Sequence, residues 1–418
     1  MIVFILFVLF VLSGKVPMQL SALAIPIILE ATGVLTTSEA WAGLANSSVL
    51  MMASMFLVGA ALSKTDVVSK LSRSVIKPGS SDTTIMIGFF VTIFLLELVV
   101  NGIGCFTILL PIIYEVCKEQ KKAVSHFLHP VHILCMIWAN ALPIGGGAAD
   151  YLQRNAIIEG LGGTGNWGFF DNLIAMAPIL VILSLYAIFV APKLTPTEET
   201  APEILAQANS PAERKSTLTD KQQKLAVGIF VGTLAGVIIF ALLGKSTWIP
   251  ALIGGWLVVF CGLLNHEEAV KAMVTPIIWI FVGTLPLATA LNKTGASTMI
   301  ADAFGAIFGN SSAWVVMMAM YLFCTILTQF ISNPAVSAAF LPLAALIAVE
   351  NGYDPRALML AAILGAANCW LMPTSGPLSL ICFEKGGYSK KTFLKLGIPL
   401  ALLHALIFAI YIPLVFHL

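Results

Sequence analysis

Long apolar runs constrain this chain more than any other feature of its sequence. Runs of about 16 to 22 apolar residues recur from one end to the other, close to the length that a helix needs to cross a bilayer. Membrane strands would instead show short stretches of alternating apolar and polar residues. Of the 418 residues, 59% are hydrophobic and 10% are charged, which is too apolar for a soluble domain of this length. The sequence therefore predicts an all-α integral membrane protein.

Charge and cysteine content argue against several other classes of protein. A formal net charge of +1 predicts no basic surface for nucleic acid, so no nucleic-acid partner is expected. The seven cysteines stand singly, and most of them fall inside apolar runs, where cysteine behaves as a small hydrophobic residue. Their spacing indicates neither a disulfide framework nor a metal-binding knuckle.

The chain divides into two halves around a polar segment. Residues 192–224 are rich in Pro, Thr, Glu and Lys, which is the composition of a solvated linker. On each side of it the order is the same: three apolar spans, one overlong apolar segment, a span broken by Gly and Pro, and a last span. GAALSKTD at 59–66 is also similar to ATALNKTG at 288–295. Residues 1–191 and 225–418 are therefore predicted to be an internal repeat, although any two halves with many spans share some likeness.

Two overlong segments, 84–117 and 313–349, determine the predicted topology. Each could form two full spans or one re-entrant hairpin, and in both cases the chain returns to the side from which it entered. With the N-terminus outside, all but four of the 22 Lys and Arg residues fall on the inner side. We predict two inverted repeats, each of five transmembrane helices plus one re-entrant hairpin followed by a broken helix. Both chain termini would then lie outside, with the linker 192–224 in the cytoplasm.

Polar and helix-breaking residues interrupt four of the apolar segments. The breaks fall at Asn101-Gly102 and at Ser332-Asn333-Pro334 in the hairpins, and at 143–147 and 373–377 in the broken helices 128–150 and 357–376. Lipid leaves a broken helix without hydrogen-bond partners, so a break is tolerated only against protein or a water-filled cavity. Polar residues that only join neighbouring helices would explain one such cluster. Four clusters in matched pairs indicate the binding site of a transporter.

These breaks have the chemistry to bind ions. Helix N-termini at the two hairpin tips would present free N–H groups to an anionic carboxylate, and carbonyls released at a break suit a cation such as Na⁺. Thr328 and Ser332 are four residues apart, hence on one helical face, and lie next to the Asn333 amide. Together they offer the hard oxygen ligands of one cation cage.

The second hairpin also carries a family resemblance. FISNPAVSAAFLPL at 330–343 resembles the Ser-Asn-Thr hairpin signature of the divalent anion:sodium symporter (DASS) family, the INDY-type di- and tricarboxylate transporters. Further similar stretches occur in order along the chain: LTTSEAWAGLANSSVLMMASMFLVGAALSKTD, IGGGAA, NWGFFDNLIAMAP, AANCWLMPTSGPLSLICF and YSKKTFLKLGIPL. The resemblance implies a homodimer of inverted repeats, each with a scaffold part and a moving part, that works by an elevator motion.

The same resemblance implies a set of site residues. Those expected to contact the substrate, between the hairpin tips and the broken helices, are Asn101, Gly102, Gly146, Gly147, Ser332, Asn333, Pro334, Gly376 and Pro377. Those expected to bind sodium are Thr328, Ser332, Asn333 and Ser375 in one site and Asn101 and Gly145 in the other. The chain departs from the family pattern at Val100, Gly102, Pro334 and Gly376, where hydroxyl-bearing residues are missing. These departures leave the substrate and the number of coupled sodium ions open.

Two acidic residues, Glu97 and Asp150, fall at membrane depth, where a charge is costly. In one interpretation either residue is a cation ligand or a proton carrier, which would compensate for the altered first signature. In the other, Asp150 pairs with Arg154 one turn later and Glu97 makes a hydrogen bond between helices.

Taken together, the sequence predicts a secondary active transporter of a small anion, di- or tricarboxylate-like or related, in the inner (plasma) membrane. Na⁺ is the expected coupling ion, with H⁺ as the alternative, and no other cofactor is expected. Other interpretations are a cation/proton antiporter of the same superfamily and the large permease subunit of a tripartite, binding-protein-dependent transporter. An enzyme is less favoured, because the one histidine group, His126, His129 and His132, is interrupted by Pro130.

Overall fold

The computed structural model of the chain is all-helical over the residues that it describes. Those residues are 2–13, 15–66, 80–97, 102–139, 141, 151, 154–155, 157–159, 167–168, 170–195, 218–243, 245–296, 299, 311–330 and 333–416. Helices before the linker are α1 (Ile2–Ser13), α2 (Met18–Ala31), α3 (Thr37–Ala40), α4 (Ser47–Ser63), α5 (Asp82–Glu97), α6 (Gly102–Gln120), α7 (Val124–Trp138) and α8 (Asp171–Leu194). Helices after it are α9 (Asp220–Leu242), α10 (Trp248–Phe260), α11 (His266–Met273), α12 (Pro276–Lys293), α13 (Ala313–Thr328), α14 (Asn333–Glu350), α15 (Pro355–Ala367), α16 (Pro377–Lys385) and α17 (Lys390–Phe416).

Among the described residues, three helices are long and apolar enough to cross a membrane by themselves: α8, residues Asp220–Phe240 of α9, and α17. The bent pair α11 and α12 counts as a fourth if it forms one span. Helix α17 has 27 residues, and at 1.5 Å per residue it measures about 40 Å, more than the roughly 30 Å of a hydrocarbon core. The chain is therefore a multi-pass membrane protein, with shorter apolar helices packed among the long ones.

Each overlong segment consists of two helices that meet near its middle. Helices α5 and α6 meet between Glu97 and Gly102, and α13 and α14 meet between Thr328 and Asn333. The first arm of each has 16 residues, which is about 24 Å of helix and short of the hydrocarbon thickness. For α13, which ends within the described residues, this length suits a re-entrant arm better than a full span. Asn101 and Ser332, at the two tips, lie outside the described residues.

The broken helices begin earlier than expected. The second one, predicted over 357–376, starts at Pro355, because Asp354 caps it by accepting a hydrogen bond from the Arg356 backbone N–H at 2.9 Å. It unwinds after Ala367, makes one 3₁₀ turn, and continues as α16 to Lys385. The first, predicted over 128–150, starts at Val124 and is helical to Trp138. The rest of that segment is outside the described residues, apart from Ala139 and Ala141.

Helical structure extends into both ends of the predicted linker, 192–224. Helix α8 continues to Leu194, and α9 begins at Asp220. The charged sequence DKQQK resembles a solvated linker, yet it continues the helix because Thr219 starts a capping box. The Thr219 N–H donates to Gln222 Oε1 at 3.0 Å, and the Gln222 N–H donates to Thr219 Oγ1 at 3.4 Å.

The two halves pack against each other reciprocally. Helix α2 of the first half packs on α12 of the second, and α4 of the first half packs on α10 of the second. Two ion pairs repeat this pattern, since Lys64 Nζ lies 2.7 Å from Glu268 Oε2 and Lys293 Nζ lies 2.6 Å from Glu39 Oε1. The separation in sequence between Lys64 and Lys293 equals that between Glu39 and Glu268. Each glutamate also closes a capping box at the start of a short helix.

The ion pair between Lys293 and Glu39 lowers the pKa of the Glu39 carboxyl group. The hydrogen bond from Lys293 is the largest influence that lowers the pKa of Glu39, from 4.5 to about 2, and the Thr36 backbone N–H adds to it. Because this folded-state pKa is depressed, any stability that the ionised carboxylate adds is present above about pH 4.5 and is lost as the pH falls through about 2. The pair is therefore formed at neutral pH.

The hairpins and broken helices gather around the largest buried apolar cluster. Helices α13 and α14 pack on α15, and α5 and α6 pack on α7. Helix α16 of the second half packs on α6 and α7 of the first, and α8 packs on α17. The described helices of the two hairpins thus pack around one buried cluster.

Candidate functional site

The tip of the second hairpin is tied to the unwound end of α15 by Thr328. This side chain is completely buried. Its Oγ1 lies 2.9 Å from Asn333 Oδ1 and 2.8 Å from the carbonyl oxygen of Ala366. Three oxygens from three elements therefore converge, which is the kind of ligand that a hard cation requires.

Cys369 joins the hairpin tip to the second break. Asn333 Nδ2 lies 3.1 Å from Cys369 Sγ, and the Ser375 hydroxyl donates to the Cys369 carbonyl at 2.8 Å and to the Met372 carbonyl at 2.6 Å. Gly376 follows directly, and a Cβ built on it would lie 3.7 Å from Asn333 Oδ1. Four of the predicted residues, Thr328, Asn333, Ser375 and Gly376, are thus brought together. Pro334 and Pro377 stand in the first turns of α14 and α16.

Gln329 is a residue of this site that the sequence analysis missed. Its Nε2 donates to the Asn368 carbonyl at 2.8 Å, and its Oε1 accepts from the Leu371 N–H at 3.2 Å. Both partners belong to the unwound segment, whose backbone groups have lost their helical partners. The sequence did offer a signal for this role, because a glutamine stands at the end of an apolar helix, next to the predicted break. The amide replaces the hydrogen bonds that unwinding removes.

A second missed feature lies behind the break. Asn368 Nδ2 donates to Tyr321 OH at 2.9 Å, and Tyr321 OH lies 2.6 Å from His404 Nδ1. All three side chains are buried. This chain of hydrogen bonds links the first arm of the hairpin, the break and α17.

The helix ends around this site have opposite polarity. Helices α13 and α15 end here and direct their free carbonyls and negative dipole ends towards it, whereas α14 and α16 begin here with free N–H groups and positive ends. Carbonyl ends favour a cation, and N–H ends favour an anion. One site can therefore hold both ions side by side.

The tip of the first hairpin has different chemistry. Glu97 is 5% exposed, and among the described residues its carboxylate oxygens have no hydrogen-bond partner other than the Cys105 thiol. A Cβ at Gly102 would lie 3.2 Å from the Cys135 carbonyl and 3.6 Å from Glu97 Oε1, so the absence of a side chain there permits the close approach of α6 to α7. The thiols of Cys105 and Cys135 lie beside the carboxylate. Of the other predicted residues of the first half, Asn101, Gly145, Gly146, Gly147 and Asp150 lie outside the described residues.

The sequence analysis also singled out Arg154 and a group of histidines in this half, and the structure shows the contacts of their side chains. Arg154 was a predicted partner of Asp150; its Nη1 donates to Asn172 Oδ1 at 2.6 Å, and its guanidinium lies over the Trp167 ring at 4.9 Å. The histidines face different partners: His126 Nε2 is 2.8 Å from Asp82 Oδ2, and His132 Nε2 is 3.2 Å from Ser379 Oγ. In the described part of the chain they do not form a shared metal site.

Comparison with protein families gives one match over most of the chain. A family model described as "Citrate transporter" (CitMHS) matches residues 7–365.

Among individual proteins, the uncharacterized transporter YfbS of Escherichia coli (strain K12) is 27% identical over 153 residues, which are 37% of this chain and 25% of that protein. This chain thus spans a quarter of the length of that relative. Sodium/sulfate cotransporter 2 of Chlamydomonas reinhardtii is 25% identical over 187 residues, 43% of this chain and 21% of that protein. The sodium-dependent dicarboxylate transporter SdcS of Staphylococcus saprophyticus is 22% identical over 433 residues, 96% of this chain and 82% of that protein.

Among solved structures, the YdaH transporter of Alcanivorax borkumensis, reported as having an unusual topology, matches with a TM-score of 0.63. The match covers 99% of this chain and 98% of that one at 13% sequence identity. At this identity the likeness concerns the fold alone.

Proposed function

Since the chain belongs to the citrate transporter (CitMHS) family, we propose that it is a secondary active transporter of a small di- or tricarboxylate or related anion, coupled to Na⁺. The family and the relatives, which are named as transporters, support a membrane transporter and not an enzyme, and the resemblance to DASS proteins is confirmed by the same findings. The substrate and the coupling ion are the proposal. Relatives named for dicarboxylate and for sulfate, both with sodium, support an anion moved with sodium.

The observation that carries the proposal is the meeting of four helix ends at the second hairpin tip. Thr328 Oγ1 and the Ala366 carbonyl supply oxygens at the negative ends of α13 and α15, and Asn333 Oδ1, from the first turn of α14, supplies a third. We assign the sodium ion to this side, with Ser332 and Ser375 completing the cage. The negative charge of the substrate would face the N-termini of α14 and α16, next to Asn333 and Gly376. An anion and Na⁺ bound side by side stabilise each other, which is the physical basis of coupling.

Gly376, Pro334 and Pro377 determine what kind of anion fits. A glycine adds no hydroxyl, and a proline has no N–H. Each therefore removes a donor from the substrate position, while Gly376 leaves space beside Asn333. We infer that the site takes an anion with more bulk or fewer required donors than a C4-dicarboxylate. In the first half, Asn101, Gly102, Gly146 and Gly147 would complete this side, and Asn101 and Gly145 would hold a second cation.

The reciprocal packing of the two halves supports alternating access by inverted repeats. The pairs α2 with α12 and α4 with α10 form one group of helices, and the hairpins with α7, α15 and α16 form another. We propose that the first group is the scaffold of a homodimer and that the second moves as an elevator. The protein would reside in the inner (plasma) membrane with residues 192–224 in the cytoplasm.

Transport by the purified protein in proteoliposomes tests the proposal. Uptake of labelled citrate, succinate and sulfate should be accelerated by an inward Na⁺ gradient and inhibited by an excess of the preferred anion. The proposal is wrong if neither uptake nor exchange across a broad panel of anions depends on a cation.

One observation favours a second coupling mode. The buried carboxylate of Glu97 would carry a proton more easily than it would carry a charge. A cation/proton antiporter that uses Glu97 and Asp150 is therefore the second candidate. It requires that a pH gradient alone drive ²²Na⁺ flux in the same vesicles, with no anion present.

A further inference from the structure

We propose that Glu97, Cys105 and Cys135 form a binding site for a thiophilic divalent cation such as Zn²⁺ at the tip of the first hairpin. One carboxylate oxygen and the two thiol sulfurs lie within 4.8 Å of one another, and all three residues are buried. They come from three different elements: the last turn of α5, the first turn of α6 and the last turn of α7. This convergence of ligands makes the cluster a candidate site.

The spacing of the sulfurs is that of a tetrahedral zinc site. Cys105 Sγ and Cys135 Sγ are 3.8 Å apart. Two Zn–S bonds of about 2.3 Å at a tetrahedral angle also place their sulfurs about 3.8 Å apart. In the absence of metal this contact between the sulfurs is a hydrogen bond from the Cys135 thiol to Cys105, and the same sulfur spacing suits one ion. A disulfide, in contrast, would require the sulfurs to approach to about 2.05 Å.

Glu97 provides the second, independent observation. The side chain is only 5% exposed, and among the described residues its carboxylate oxygens have no hydrogen-bond partner other than the Cys105 thiol, a member of the same cluster. A thiol is a weak donor and leaves a buried carboxylate poorly compensated, and a cation would remove that cost. Gly102 keeps the approach open, since no side chain stands between the carboxylate and α7.

The ligand set favours one class of cation. Thiolate ligands select soft or borderline ions such as Zn²⁺, whereas Na⁺ and Mg²⁺ prefer oxygen. Two thiolates and one carboxylate carry three negative charges, so a divalent ion leaves one in excess. The positive N-terminus of α6, one turn from Cys105, lies close enough to compensate part of it. The described residues supply three ligands, so the fourth tetrahedral position is left to another group. A bound ion would fasten both arms of the hairpin to α7.

The test uses full-length protein in detergent, reduced and stripped with a chelator, on a Cys261→Ser background. Cys261 is the one half-buried cysteine of the seven, and the other six are buried. Titration with Cd²⁺ should produce a thiolate-to-metal charge-transfer absorption that saturates at one ion per chain. It should also release protons into a weak buffer, because thiols lose them on binding. Na⁺ and Mg²⁺ in excess should not compete.

Single variants locate the site. Loss of an outer-shell partner alone costs roughly 10- to 100-fold in metal affinity, so Cys105→Ser and Cys135→Ser should each weaken Cd²⁺ binding by more than about 100-fold. Glu97→Gln should weaken it while keeping the charge-transfer absorption. Cys324→Ser, which removes a buried cysteine of the second hairpin, is the matched control and should bind as the parent does.

Three results would overturn the inference: no Cd²⁺ binding by the folded parent, binding in both cysteine-to-serine variants of the site that is as tight as in the parent, or a loss in Cys324→Ser as large as theirs. If a serine variant fails to fold, the Cys261→Ser parent still provides a test of metal binding. Equimolar Zn²⁺ should raise its melting temperature, whereas Mg²⁺ should not. Since the measurement is binding and not transport, its outcome is independent of the anion and the Na⁺ coupling proposed above; it bears only on the second candidate, in which the same Glu97 carries a proton.

Discussion

Thr328 is the side chain on which the proposed sodium site depends most directly. Its hydroxyl contacts Asn333 and the Ala366 carbonyl at once. Thr328→Val keeps the shape and removes the oxygen. A hydrogen bond or ligand contact to a charged group contributes about 1.5–3 kcal/mol. We therefore expect the Na⁺ concentration for half-maximal uptake to rise roughly tenfold or more, measured in proteoliposomes.

Thr325 offers the matched control for that change. It lies on the same helix, about one turn earlier, and its hydroxyl donates to the Gly365 carbonyl at 3.2 Å. Thr325→Val should alter stability without a comparable change in Na⁺ dependence. Equal effects of the two substitutions would mean that Thr328 has only a structural role.

Gly376 allows a test of substrate choice. A Cβ there would be in ordinary contact with Asn333 Oδ1 at 3.7 Å, so Gly376→Ser should fold normally. The new hydroxyl would donate to a bound carboxylate, and the preference for succinate over citrate should rise several-fold, up to about tenfold. Competition against labelled substrate measures this ratio. Gly376→Ala adds the same Cβ without the hydroxyl, and a ratio that is equal in both variants would refute the assignment.

At the scale of elements, the unwound segment between α15 and α16 depends on Gln329. Its amide hydrogen bonds with the Asn368 carbonyl and the Leu371 N–H. Gln329→Leu would leave both backbone groups without these partners, and each such loss costs about 1–3 kcal/mol. We expect a lower melting temperature together with impaired transport. Gln329→Glu keeps an acceptor for Leu371 but no donor for Asn368, so its melting temperature should be intermediate.

Elements whose structure is set by residues close in sequence could be predicted, and those that depend on tertiary contacts could not. The apolar runs predicted the helices, and Gly, Asn and Pro marked the breaks near Gly102 and Asn333, because backbone preference is set by neighbours in sequence. The start of α9 was missed, since a charged turn continues a helix when Thr219 caps it. The contacts of the candidate site were predicted in part: spacing places Thr328 beside Asn333, but the Ala366 carbonyl that Thr328 contacts and the Cys369 thiol that Asn333 contacts come from a distant element. The cluster of Glu97 with two isolated cysteines also depends on tertiary packing.

At the scale of the whole molecule, the reciprocal ion pairs carry information on topology. Lys64 pairs with Glu268, and Lys293 pairs with Glu39, so each half contributes one lysine and one glutamate. In inverted halves, corresponding loops lie on opposite faces of the membrane. The predicted topology accordingly places the first pair on the inner side and the second pair on the outer side. The two partners of each pair are thus predicted on the same side of the membrane, as a direct contact requires.

Cysteine labelling in intact cells tests this arrangement. The side chains of both pairs are partly exposed, Lys293 and Glu39 at 47% and 32% and Lys64 and Glu268 at 24% and 37%. On the Cys261→Ser background, a single cysteine replacing Glu39 or Lys293 should react with a membrane-impermeant maleimide added from outside. A cysteine replacing Lys64 or Glu268 should react only after the membrane has been opened. Labelling of all four from one side would show that the halves are not inverted, and the reverse pattern would keep the inversion but turn the whole protein over in the membrane.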